Sequence, residues 1–105
     1  MNDTRRNQLE RAGWAVSDAA EFLHLTEEES RFLELKLALA SALRKLRERN
    51  GLTQTELAAR IGSSQSRVAK MEAGDRSVSV DLMLRSLIHI GATASDIARW
   101  IRRAA

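Results

Sequence analysis

Residues 54–73 read QTELAARIGSSQSRVAKMEA, the pattern of two short helices joined by a turn of three or four residues. The small Ala58 lets the second helix cross the first closely, and Gly62 tolerates the left-handed backbone that such a turn needs. Four apolar side chains have the spacing to lock the crossing: Leu57, Ile61, Val68 and Met71. This stretch therefore predicts a helix-turn-helix.

The sequence on both sides of this stretch is also typical of helices. Proline is absent, and each of the 5 glycines follows a helical pattern and precedes a serine or threonine, the order expected of a helix end and the next N-cap. Thr26, Thr53 and Thr93 each begin a capping-box pattern. Strand-like alternation is confined to the residues around Ser79. We expect an all-α chain with helices over residues 4–12, 18–23, 27–49, 54–61, 64–73, 80–90 and 94–103.

The helix predicted over residues 27–49 has two distinct features. An apolar stripe follows the helical period through Phe32, Leu35, Leu39, Leu43 and Leu46, and Leu33, Leu37 and Ala40 broaden it. The last two turns are basic, which complements the helix dipole and also suits phosphate contact.

The composition limits the class of protein. A chain of 105 residues has room for one small domain, and 44% hydrophobic with 30% charged residues is typical of a folded soluble protein. The lack of cysteine excludes a disulfide scaffold, thiolate zinc and cysteine catalysis. No apolar run approaches the roughly 20 residues of a membrane span, and the first residues do not resemble a secretory signal. We expect a cytoplasmic protein without a membrane partner.

The charges are unevenly distributed along the chain. The formal net charge is +3, but residues 1–35 carry eight acids and four bases, whereas residues 36–105 carry thirteen bases and six acids. A mixed solvated surface is one interpretation of this division. The other is two surfaces with different partners, of which the basic one would bind a polyanion.

Catalysis is not expected. His24 and His89, the two histidines, lie far apart between apolar neighbours and are predicted to be core-edge residues. Phosphate-binding, dinucleotide-binding and nucleophile-elbow motifs are absent. The paired carboxylates fall at helix starts, where the dipole explains them. The sequence therefore predicts no enzyme, no metal and no cofactor.

The segment from Leu52 to Gly74 resembles a known family. The pattern LTQTELA at residues 52–58, Gly62, and QSRVAKMEAG at residues 65–74 is similar to the helix-turn-helix of lambda-type phage repressors, the XRE family. The resemblance covers about residues 36–91. It implies an all-α, lambda-repressor-like five-helix domain, here preceded by a short helical N-terminal extension. The overall layout also resembles antitoxins of the HigA type.

The second motif helix would face DNA with the side opposite Val68 and Met71. Gln65, at its N-terminal edge, has an amide able to pair bidentately with adenine. In the family the matching glutamine reads adenine, and the glutamine at Gln54 braces it and bonds phosphate. The residues predicted to contact bases are Gln65, Ser66, Ala69 and Lys70; those predicted to contact phosphate or brace the readers are Gln54, Thr53, Ser64, Arg67, Arg60, Arg76, Arg44 and Arg47.

Two apolar groups are candidates for protein contacts. Related repressors dimerise through C-terminal helices, which favours a homodimer seam made of Leu87, Ile90, Ile97, Trp100 and Ile101; the alternative is that this stripe is core. Residues 1–25 are interpreted as an extension, and residues 26–105 as the DNA-binding domain with its dimerisation helix. The extension either folds back on the domain or binds a toxin through Trp14, Val16, Phe22 and Leu23.

Together these patterns predict a transcriptional repressor that binds double-stranded operator DNA. The HigA resemblance implies an antitoxin that also neutralises a small basic RelE/HigB-like ribonuclease toxin. Two alternatives stay open: a stand-alone XRE-type regulator without a toxin, and a protein-interaction adaptor that has lost DNA binding.

Overall fold

A computed structural model describes residues 26–104 of the chain, and within this range every regular element is an α-helix. The all-α prediction is therefore confirmed. No helix in the described range is long and apolar enough to cross a membrane. The two predicted helices before residue 26 lie outside the described residues. The five helices are α1 (Glu27–Arg49), α2 (Gln54–Ile61), α3 (Gln65–Ala73), α4 (Val80–His89) and α5 (Ala94–Ala104).

The helix ends follow the capping signals in the sequence. The Thr53 hydroxyl accepts the Glu56 N–H at 3.0 Å while Glu56 accepts the Thr53 N–H at 3.0 Å. Thr93 and Asp96 make the same reciprocal pair. Helix α3 begins one residue later than predicted because Ser64 is its N-cap, with its hydroxyl accepting the Arg67 N–H. Each box satisfies backbone groups that a helix end leaves unpaired.

The core lies around α1, on which α3, α4 and α5 pack, and α2 joins it mainly through its contacts with α3. Leu57, Val68 and Met71 of the helix-turn-helix are fully buried, as their spacing predicts, and Ile61 is partly buried against them. Other elements contribute further fully buried side chains, namely Leu43, Met83 and Leu87. The orientation of the helix-turn-helix is thus fixed by close packing on α1.

The burial of side chains in the first turns of α1 differs from the predicted apolar stripe. Phe32 is 49% exposed, whereas Leu33 and the charged Lys36 are buried. Phe32 lies four residues before Lys36 and eleven before Leu43, on the same side of the helix, so it is exposed although its position follows the predicted stripe. Burial lowers the pKa of Lys36, and the negative charge of Asp75 opposes that change.

Two glycines set the position of α3. Gly62 has φ 68° in the turn before the helix, and Gly74 has φ 66° directly after it. A Cβ at Gly74 would lie 2.9 Å from Leu37 Cδ2, whereas a Cβ at Gly62 would meet nothing within 4 Å. Both positions favour glycine for its backbone, and Gly74 also allows the end of α3 to approach α1 closely.

Candidate nucleic-acid interface

The N-terminal edge of α3 is an exposed polar surface. Gln65, Ser66 and Arg67 are exposed, whereas Val68, in the same turn, is fully buried. The hydroxyls of Ser64 and Ser66 lie 3.2 Å apart. Because the inward face is fixed by the core, these first residues of α3 have a defined orientation toward solvent.

Two glutamines from different helices meet at this edge. Gln65 Nε2 donates a hydrogen bond to Gln54 Oε1 at 2.7 Å. Gln65 is exposed, and Gln54, at the start of α2, is half-buried. This contact has the geometry that the family resemblance implies for a braced reader of bases. It leaves the Gln65 Oε1 atom and one of its N–H groups directed to solvent.

The glutamine pair continues into a buried ion pair. Gln54 Nε2 donates to Glu72 Oε1 at 3.2 Å, and Arg47 Nη2 donates to the same oxygen at 2.9 Å. Arg47 Nε donates to the second oxygen of Glu72. The side chains of Arg47 and Glu72 are 12% and 4% exposed. The hydrogen bonding of Arg47 to the Glu72 carboxylate, which accepts, is the main cause that raises the pKa of Arg47.

Arg47, which is predicted to contact phosphate, is held mainly by groups within the protein. Its remaining amine Nη1 donates to the carbonyl oxygen of Leu52 at 2.7 Å, so the Nε, Nη1 and Nη2 groups all have partners within the chain. A guanidinium held this way joins α1, the loop before α2 and α3. The sequence signal that suggested a phosphate ligand, a basic last turn, does not distinguish a buried arginine from an exposed one.

The other residues predicted to contact phosphate differ in their salt bridges and in their place on the helices. Arg60, Arg67 and Lys70 are exposed and form no salt bridge within residues 26–104. Arg44 is exposed but paired with Glu48 at 2.8 Å. Arg76 is exposed at the end of the α3 region. Thr53 and Ser64 occupy the N-caps of α2 and α3. Arg60, Arg67 and Lys70 lie on α2 and α3, the helices that carry the glutamine pair.

An open groove of about 400 Å³ runs between α1 and α3 next to the glutamine pair. Ala69 is half-buried and lines this groove, so it lies deeper than Gln65 and Lys70. A methyl side chain at this position leaves space for a bulky group to approach α3. Residues from three helices line the groove: Leu37, Ala40, Ser41, Arg44, Arg47, Gln54, Ala69, Glu72 and Ala73.

The residues of the predicted dimer seam differ in burial within a single chain. Leu87 is fully buried in the core of a single chain, so its assignment to a dimer interface is wrong. Ile90, Ile97 and Trp100 are partly buried and pack against the core, and Ile101 is 38% exposed. The sequence interpretation missed Ile88, which is 59% exposed. The predicted toxin-contacting residues Trp14, Val16, Phe22 and Leu23 lie outside the described residues.

The histidine prediction is wrong for His89, which is exposed at the last position of α4 rather than at the edge of the core. His24 lies outside the described residues. Between residues 26 and 104 no group of three or more histidine, cysteine or acidic side chains is placed to hold a metal ion.

Comparison with known proteins defines the class of this fold. Residues 43–85 match the family HTH_3, described as helix-turn-helix and of the XRE type. The fold is lambda-repressor-like, and the match supports a DNA-binding transcription regulator. No curated protein and no solved structure matches the chain significantly.

Proposed function

We propose that the chain is a sequence-specific transcriptional repressor that binds double-stranded operator DNA as a homodimer. The observation that supports this most strongly is the hydrogen-bonded pair of Gln65 and Gln54 at the exposed edge of a helix-turn-helix. A recognition helix enters the major groove with its N-terminal residues against the base edges. Gln65 is the side chain at that position, and Gln54 restricts its rotamers before DNA arrives.

Base contacts are assigned to the solvent-facing side of α3. Gln65 pairs with adenine through Oε1 and its free N–H. Ser66 and Lys70 are exposed on the same helix and within reach of neighbouring base edges, and the small Ala69 accommodates a thymine methyl group. Gln65, Ser66 and Ala69 supply the choice of sequence, and the charge of Lys70 also adds affinity on every sequence.

Phosphate contacts are assigned to the cations and helix ends around α3. Arg60 and Arg67 are exposed and form no salt bridge with any residue from 26 to 104, and backbone N–H groups at the N-termini of α2 and α3 add donors near Thr53 and Ser64. Arg44 and Arg76 extend this basic surface. Neutralising phosphates supplies most of the affinity and makes it depend on salt.

The decisive experiment compares Gln65→Ala with Lys70→Ala on two duplexes, the DNA upstream of the gene and a scrambled duplex of equal length. Gln65→Ala is expected to cost about 1–3 kcal/mol on the upstream DNA and little on the scrambled DNA. Lys70→Ala is expected to weaken both complexes and lower the salt slope by about one. Equal losses on both duplexes for Gln65→Ala would remove it as a reader, and absent binding of the unaltered chain would favour the adaptor hypothesis.

We further propose an antitoxin role, in which residues 1–25 bind a small basic ribonuclease toxin. The support is the resemblance to HigA-type antitoxins and the acidic balance of residues 1–35, which complements a basic partner. A full-length variant carrying Trp14→Asp and Phe22→Asp is expected to bind DNA normally and to fail in neutralising the toxin. Rescue of toxin-expressing cells by this variant would contradict the role, and absence of a toxin gene beside it would favour the stand-alone regulator.

A further inference from the structure

We propose that Glu72 is a positioning residue, which fixes the direction of both glutamine amides and thereby makes Gln65 select adenine over guanine. This inference rests on the proposed function, because it concerns the base that Gln65 meets. The atoms that carry it form one chain of hydrogen bonds, from Arg47 through Glu72 and Gln54 to Gln65.

The direction of the hydrogen bonds in this series is set by the Glu72 carboxylate, which can only accept hydrogen bonds. Both oxygens of the Glu72 carboxylate are engaged by the Arg47 guanidinium, which has only donors. The amide end of Gln54 that faces Glu72 must therefore be its NH₂ group, as the 3.2 Å contact places it. The carbonyl end of Gln54 is then turned toward Gln65.

The pairing of donors with acceptors also fixes the orientation of the exposed Gln65 amide. Because Gln54 presents Oε1, only the NH₂ end of Gln65 makes a favourable contact there, and it does so at 2.7 Å. Gln65 is left with one N–H donor and the Oε1 acceptor. Adenine presents one acceptor, N7, and one donor, the N6 amine, in the major groove, whereas guanine presents the two acceptors N7 and O6. The remaining pattern on Gln65 complements adenine and repels guanine O6.

Reversal of both amides would change the preference. Gln65 would then accept from Gln54 and present two N–H donors to the groove, which suits guanine. The cost of this reversal falls on the contact between Gln54 and Glu72, where two oxygens would face each other. Because the Glu72 side chain is only 4% exposed, water does little to relieve that repulsion.

The alternative is that the Arg47–Glu72 pair only stabilises the fold. Two substitutions at the two ends of this pair separate the roles. Glu72→Gln replaces an acceptor-only group by an amide that can turn either face to Gln54. Arg47→Lys weakens the pair but keeps the carboxylate next to Gln54, so it serves as the matched control for lost stability.

The experiment uses the full chain and duplexes enriched by the unaltered protein from a random-sequence pool. Two duplexes are compared that differ only at the base that Gln65 contacts, one with guanine and one with adenine there. The ratio of their Kd values, guanine over adenine, is measured for each variant. The unaltered chain and Arg47→Lys are expected to favour adenine by about tenfold or more, and Glu72→Gln by less than about threefold. Retention of the full ratio in Glu72→Gln, or an equal loss in Arg47→Lys, would overturn the positioning role.

A second variant keeps the test valid if Glu72→Gln does not fold. Gln54→Met removes the link between carboxylate and reader at a half-buried position, and it is expected to relax the adenine preference to the same extent. A full ratio in Gln54→Met overturns the inference. If the unaltered chain has no base preference that Gln65→Ala abolishes, the proposed function itself fails. If that preference exists but survives Glu72→Gln and Gln54→Met, only the role of Glu72 fails.

Discussion

Helices α3 and α5 both pack on α1, but they are held there in different ways. Helix α3 has 9 residues, of which Val68 and Met71 are fully buried, and its end lies close to Leu37. Helix α5 has 11 residues and not one of them is buried. Its contacts to the core come from the partly buried Ile97 and Trp100.

The two helices therefore differ in two respects: α3 is held rigidly, whereas α5 has apolar side chains that remain exposed to solvent. A reader of bases needs its side chains in fixed positions, and close packing together with the Arg47–Glu72 pair supplies this for α3. Helix α5 leaves Ile101 accessible, as α4 leaves Ile88. The comparison therefore assigns rigidity to the proposed DNA side and accessible apolar side chains to the C-terminal side, where the homodimer interface is proposed.

Truncating Met71 is expected to have the largest effect. Met71→Ala would leave a cavity at a fully buried position and lower the free energy of unfolding by about 2–5 kcal/mol. The control Ile101→Ala, on the partly exposed face of α5, is expected to lower it by less than about 1 kcal/mol. Urea unfolding of both variants gives these values. Similar losses would mean that the two helices are anchored equally.

Substitutions at the two glycines flanking α3 test how closely it lies on α1. Gly62→Ala is expected to cost about 1–2 kcal/mol for the left-handed backbone alone. Gly74→Ala should cost about 1 kcal/mol more, because its Cβ would meet Leu37 Cδ2 at 2.9 Å. Denaturant midpoints of the two variants measure the difference. A smaller loss for Gly74→Ala would indicate that the end of α3 can move away from α1 freely.

A charge on the surface of α5 is expected to affect folding least and association most. Ile101→Asp should change the unfolding free energy by less than about 1 kcal/mol, since the side chain is 38% exposed. It should convert the proposed homodimer to monomers in sedimentation experiments. Ser95→Asp, which adds the same charge on a different face of α5, is the control. A dimer that tolerates Ile101→Asp would place the interface elsewhere.

Local signals in the sequence were enough to place the helices. The capping patterns at Thr53 and Thr93 and the glycines at the helix ends act through nearby residues, so they can be recognised without a structure. The glutamine pair was anticipated from the family resemblance. These features rest on contacts over short sequence distances or on a motif whose spacing is fixed.

Features set by long-range packing were not predictable in the same way. Arg47 and Glu72 are 25 positions apart, and nothing local to either one marks it as buried. Leu87 and Ile88 are adjacent apolar residues, yet one is fully buried and the other 59% exposed, because a step of one residue turns a helix by about 100°. Only the neighbouring helices determine which of the two faces inward.

The length of α1 has a consequence for geometry. At about 1.5 Å per residue its 23 residues extend for about 35 Å, and the family match begins only at residue 43. The acidic first turn of α1 and Arg47, which contacts the glutamine network, therefore lie near opposite ends of one helix. In the proposed function, a protein bound next to Thr26 would therefore lie at a fixed distance from a duplex bound at α3.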